Sequence, residues 1–176
     1  NQNEPSWQEF LEFHREAFRR YVARYTEALH RARPNFQIAS NWMYTTLVPE
    51  RPTVPVDFVS GDYLGNASIS TARLEARYLS ASGKPWDLMA WGFDKGQGLG
   101  WSIKPAEQLE QEAAVVLMQG GGFQIYYQPT RAGWIDDRLT GVMASVARFC
   151  RQRQALSHQS ESLTSIGVLF STRSLY

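Results

Sequence analysis

Three carboxylates stand beside aromatic rings and amides in a way that suits sugar chemistry. Asp62 ends a β-branched run in VDFVSGDYLG, Val56 to Gly65, between Gly61 and Tyr63. Glu50 lies in the proline-rich stretch LVPERPTVP, and Asp94 follows Trp91-Gly92-Phe93. Glycosidic bonds are usually cleaved by two carboxylates, one an acid and the other a nucleophile or base. Sugar rings also present apolar faces to indole and phenol rings, and hydroxyls to amides and carboxylates. Asn41, Trp42, Tyr63, Trp91 and Trp134 supply such groups. Asp62 is the best placed acid, and Gly61 would let a ligand approach the backbone. A structural reading competes at each position. Gly-Asp is ordinary turn chemistry, Trp42 and Trp91 suit an upper core layer, and Trp134 could hold down a loop.

Positioning these groups requires a scaffold, and the pattern of apolar residues supplies one. Ser6-Trp7-Gln8-Glu9 has capping-box form and opens a helix with Phe10, Leu11, His14, Phe18, Tyr21, Val22, Tyr25 and Leu29 on one face. Pro34 stops it. FQIASNW, Phe36 to Trp42, reads as a strand, and VDFVSG, Val56 to Gly61, as a second. A helix follows from about Ser70 to Ser80, then a third strand, Trp86 to Phe93. Pro105 suits the first turn of a helix with Leu109, Ala113, Val116 and Leu117 inward. FQIYYQ, Phe123 to Gln128, is a fourth strand, and Asp136 or Asp137 caps a helix bearing Leu139, Val142, Met143, Val146 and Phe149. A linker, Arg151 to Ser162, leads to a fifth strand in GVLFS.

Strands alternating with helices imply right-handed βαβ units and a parallel sheet. Nearly continuous apolar strands suit burial on both faces. Two architectures fit: the C-terminal half of a TIM (β/α)8 barrel, or an open doubly wound parallel sheet. A whole barrel typically needs about 250 residues. Both architectures place ligands at the carboxyl ends of strands. Those tips are Asn41-Trp42, Asp62-Tyr63, Trp91 to Asp94 and Tyr126-Tyr127-Gln128; the opposite ends are plainer, although Trp86 and Asp87 sit there.

Composition removes several alternatives. With 176 residues, 43% hydrophobic and 20% charged, the chain is long and apolar enough for a packed core. A net charge of +1 gives no electrostatic case for nucleic acid or an anionic membrane. No apolar run approaches the roughly 20 residues of a membrane span. Cys150 is alone, so there is neither an internal disulfide nor a cysteine metal site. His14, His30 and His158 show no metal-ligand spacing, and no cofactor is expected. The glycines of GQGLG, Gly96 to Gly100, lack the strand–turn–helix setting of a dinucleotide loop. Periplasmic, secreted and cytoplasmic locations are all compatible with these features. The absence of an initial Met and the abrupt ending at GVLFSTRSLY lead us to expect a segment of a longer protein.

FLEFHREAFRRYVARYTEALHRARPNFQIASNW, VDFVSGDYLG, PWDLMAWGF and EQLEQEAAVVLMQGGGFQIYYQP together resemble α-L-fucosidase-like glycoside hydrolases. These are relatives of the β-galactosidase class whose barrel is followed by a Rossmann-like trimerisation domain. The resemblance spans roughly residues 6 to 155. It implies a partial barrel over 1–155, with 156–176 as a linker and the first strand of a following domain. It further implies a retaining enzyme acting on a terminal sugar such as α-L-fucose, a homo-oligomer, and a nucleophilic Asp upstream of Asn1. Asp62 would then be the acid/base or a substrate-binding carboxylate, and Glu50 is the competing acid/base. Asn41, Tyr63 and Asp94 would bind hydroxyls, and Trp42, Trp91 and Trp134 would bind rings. The alternatives are a non-catalytic carbohydrate-binding or scaffold barrel and a flavodoxin-like domain binding a small anion. A half barrel would also leave an unpaired sheet edge.

Overall fold

A computed structural model of the chain describes residues 3–41, 43–96 and 100–175. Helix α1 spans Trp7–Ala32, and strands β1 and β2 span Ala39–Asn41 and Phe58–Asp62. A single 3-10 turn leads into α2, Ser68–Ser80, and β3 follows at Trp86–Trp91. On either side of the glycine-rich stretch, β4, Phe93–Gly96, and β5, Gly100–Ile103, pair antiparallel. Helix α3, Ala106–Leu117, strand β6, Gly122–Tyr126, helix α4, Asp137–Ser157, and the short α5, Thr172–Leu175, complete the chain.

Four strands form one parallel sheet in the order β1-β2-β3-β6, which is also their order along the chain. Every other side chain of β2 and β3 is buried, which marks one face as covered. Val59, Leu88 and Ala90 of that face join Val22, Leu79, Leu109, Ala113, Val116 and Val146 in one core. Helices α1 to α4 therefore share a single core on a single face. Gly61 belongs to this face as well, because a Cβ there would stand 2.8 Å from Thr45 Cγ2. Its glycine makes room for the loop after β1, not for a ligand. Gly92, between β3 and β4, admits the Tyr127 ring, which a Cβ would overlap at 2.3 Å.

Helix α3 is embedded, with Leu109, Glu112, Ala113, Val115 and Val116 all buried. Asp136 caps α4 by accepting the Arg138 N–H at 2.8 Å. That helix runs through the expected linker to Ser157. Helix α1 departs from expectation. Only Val22 and Thr26 are buried, while Phe10 and Tyr21 on the expected inner face are 52% and 64% exposed. Its second half meets the core through Val22, Ala23 and Tyr25, whereas its first half is held by ion pairs. Ser6 makes no side-chain cap. The expected fifth strand is not formed: Ile166 to Phe170 lies without regular structure, and Phe170 packs edge-on against Tyr78 instead of extending the sheet.

Candidate functional site

The strands expose their second face to a row-by-row array of polar and aromatic groups. Parallel pairing aligns Asn41 with Ser60 and Ser60 with Asp87. The next row toward the strand tips holds Asp62, Met89 and Gln124, and beyond it Trp91 pairs with Tyr126. Side chains two apart on a strand share a face, so Ser60 and Asp62, and Asp87, Met89 and Trp91, stand on the side away from the helices. These residues are half-buried or exposed and take no part in the core.

Asp62 is at the centre of this array. Its Oδ2 accepts a hydrogen bond from Trp91 Nε1 at 3.2 Å. Its Oδ1 is shielded from solvent and has no partner among the described residues. Burial pushes its carboxyl above the ordinary aspartate value, against the opposing influence of hydrogen bonds from Trp91 and Asn41. Desolvation disfavours the charged form of an acid, so the group keeps its proton to higher pH. The Trp91 ring in turn packs with Phe93 and Tyr126, the three meeting one another with centroids 5.5 to 6.0 Å apart.

The other expected site residues are distributed differently. Tyr63 points to the helix side, is buried, and donates its hydroxyl to Glu112 Oε2 at 2.7 Å. Lys104 Nζ donates to the second oxygen of the same carboxylate at 2.8 Å. This trio is enclosed between the end of β2 and α3, so Tyr63 serves as a strut, not as an open hydroxyl contact. Burial and the adjacent Glu112 raise the Tyr63 phenol far above its normal value. Glu50 is clamped by two arginines one helical turn apart, with Arg15 Nη2 and Arg19 Nη2 each 2.5 Å from its oxygens. Asp94 lies on β4 opposite Ser102, outside the four-stranded sheet. Trp134 is 75% exposed in the loop before α4. Trp42 lies outside the described residues.

Asp87 and Gln124 belong to the array, although reading only the strand tips left them out. The signal that could have found them is the period of two along Asp87, Met89 and Trp91, once one side of β3 is known to face helices. Among the described residues no group of His, Cys, Asp and Glu could hold a metal ion, and no helix is long and apolar enough to cross a membrane. A wide cavity of about 920 Å³ lies at the opposite ends of the strands, lined by Arg77, Trp86, Gln119, Arg151 and Ser160. It is remote in register from Asp62 and holds none of the expected site residues.

No protein-family model, no curated protein and no solved structure matches the chain. The fold class is mixed α/β with a four-stranded parallel sheet.

Proposed function

We propose that this chain is the C-terminal half of a (β/α)8 barrel and carries the acid/base side of a glycoside hydrolase that removes a terminal sugar, with α-L-fucose as the first candidate. Strand order and layering support the barrel reading. A doubly wound sheet reverses its strand order and carries helices on both faces. Here the strands follow one another without reversal, and the helices share one core on one face. The uncovered face is then the wall of the barrel interior, which agrees with its mixture of carboxylate, amide and ring.

The observation that carries the functional reading is the state of Asp62. Its carboxyl holds its proton more tightly than an ordinary aspartate, is oriented by an indole N–H, and has one oxygen without a partner. Such a group can donate a proton to a departing glycosidic oxygen. In a retaining reaction it then accepts a proton from the water that releases the sugar. The resemblance puts the nucleophile upstream of Asn1. Trp91 and Tyr126 are the rings nearest for packing on the sugar. Asn41 is placed for its hydroxyls.

Hydrolysis of aryl α-L-fucoside, β-D-galactoside and related aryl glycosides by the natural full-length protein tests this. Turnover by the wild type that collapses in Asp62→Asn supports the assignment. Near-normal turnover in that variant removes Asp62 from catalysis. One observation favours a second reading, a non-catalytic sugar-binding barrel: Glu50, the other expected acid, is neutralised by Arg15 and Arg19. Sugar binding without hydrolysis, unchanged in Asp62→Asn, would select that reading.

A further inference from the structure

The uncovered face continues from Asp62 toward the strand beginnings, where its next carboxylate is Asp87. Asp87 stands in the row of Ser60, nearer the strand beginnings than the row of Asp62 and Met89. Its Oδ2 accepts a hydrogen bond from Gln124 Nε2 at 2.6 Å, which fixes the carboxylate from the neighbouring strand. Its Oδ1 is shielded from solvent and lacks any partner among the described residues, as does Asp62 Oδ1. Strand spacing and rise put the two Cα atoms about 8 Å apart, on the same face.

A shielded acceptor without a donor is costly to leave so, and the Asp87 carboxylate has no proton of its own to offer. A molecule seated on this face completes it by bringing a donor to Asp87 and an acceptor to the proton-bearing Asp62. A pyranose does so, with hydroxyls around a ring of that span and an apolar face for Trp91 and Tyr126. A purely apolar ligand would leave the Asp87 oxygen bare, and an anion would face its charge.

We propose that Asp87, positioned by Gln124, is the inner hydroxyl-binding residue of the site and sets which sugar is accepted. A ring hydroxyl of the terminal sugar donates to Asp87 Oδ1 while the glycosidic oxygen lies at Asp62. This rests on the glycoside hydrolase reading and adds a specificity role to a residue on the same sheet face, one row nearer the strand beginnings.

The test separates the two roles in the natural full-length protein. Aryl glycosides are assayed, and binding of free L-fucose, D-galactose, D-glucose and D-mannose is measured by calorimetry. Asp62→Asn should lose kcat while retaining the Kd of the preferred free sugar. Asp87→Asn should raise KM and that Kd about tenfold or more, the worth of one hydrogen bond to a charged group, with a smaller change in kcat. It should also narrow the difference between the preferred sugar and its epimers. Unchanged KM and Kd in Asp87→Asn, beside an inactive Asp62→Asn, would overturn the Asp87 role alone. Failure of the wild type to bind or cleave any of these sugars would overturn both. Should Asp87→Asn melt well below the wild type, Gln124→Ala replaces it; release of Asp87 should then raise KM several-fold, and no change there overturns the proposal.

Discussion

The two faces of the parallel sheet are made by alternate residues of the same strands, yet they obey different rules. On the helix side Val59, Leu88 and Ala90 are sealed into one apolar core. The buried charges there are fully partnered, since Glu112 takes both Tyr63 and Lys104. On the other side Asp62 and Asp87 each keep a shielded oxygen without a partner. A buried polar group that is satisfied rigidifies a fold, whereas one left unsatisfied calls for an explanation, a bound molecule among them. The helix side has such a group as well, the Thr26 hydroxyl, but no such carboxylate among the described residues. The difference teaches that polarity alone does not mark the site. Tyr63 and Glu112 are as polar as Asp62, but their hydrogen-bonding capacity is used up inside the protein.

Substitutions on the two faces should therefore separate activity from stability. The largest effect is expected at Asp62: replacement by Asn should lower turnover about 10²–10⁴-fold, the usual contribution of a general acid/base, with little change in melting temperature. On the covered side Glu112→Ala should leave the Lys104 ammonium buried and unpaired, costing about 3–5 kcal/mol in a denaturant titration. A loss under about 1 kcal/mol would show that water reaches this trio and blur the contrast between the faces. Leu88→Ala should cost about 2–5 kcal/mol, a core cavity, whereas Met89→Ala, one residue along on the open face, should cost clearly less. Equal costs would mean that Met89 is packed as tightly as Leu88, as in a filled barrel interior, and would remove the contrast between the faces.

Two smaller effects concern pH. Trp91→Phe removes a hydrogen bond that favours ionised Asp62. The alkaline limb of the pH–activity profile should then move to higher pH, because the acid form persists longer. A shift to lower pH would contradict the role of that indole. On the covered side, burial raises the Glu75 carboxyl above its ordinary value of 4.5, although Thr46 donates to it from both N–H and hydroxyl. The folded state thus binds the proton more tightly than the unfolded chain. Ionisation of Glu75 costs stability as pH rises through its folded value. Measured against Glu75→Gln, wild-type stability should decline as pH climbs from below 4.5 and level off once Glu75 is ionised when folded.

Much of the scaffold was legible along the chain, because helix and strand periods are local. The four strands of the sheet fall within or close to the apolar runs read as strands, and Asp136 and Pro105 stand at helix starts as their chemistry dictates. Errors arose where neighbours far along the chain decide. The apolar stripe of α1 reads as a buried face, but little of the chain lies against its first half. Ile166 to Phe170 has strand composition, but composition does not supply a pairing edge, and that segment meets Tyr78 instead. Gly96 to Gly100 reads as loop, while its flanks pair antiparallel through cross-strand bonds.

The candidate site divides in the same way. Asp62, Asn41 and Trp91 could be singled out from the sequence, because strand ends and aromatic–carboxylate mixtures are visible there. Their assembly could not be. Asp62 meets Trp91 across 29 residues, Glu50 meets Arg15 across 35, and Tyr63 meets Glu112 across 49. By itself the sequence determined the alternation of elements and the period that turns Asp62 and Tyr63 to opposite faces. Only the tertiary structure decided which face the helices cover, and with it that Tyr63 is consumed inside, Glu50 is neutralised, and Asp62 and Asp87 each keep an oxygen without a partner among the described residues. The physical reason is that local backbone geometry fixes periodicity, while burial and hydrogen-bond partnership belong to pairs that only folding brings together.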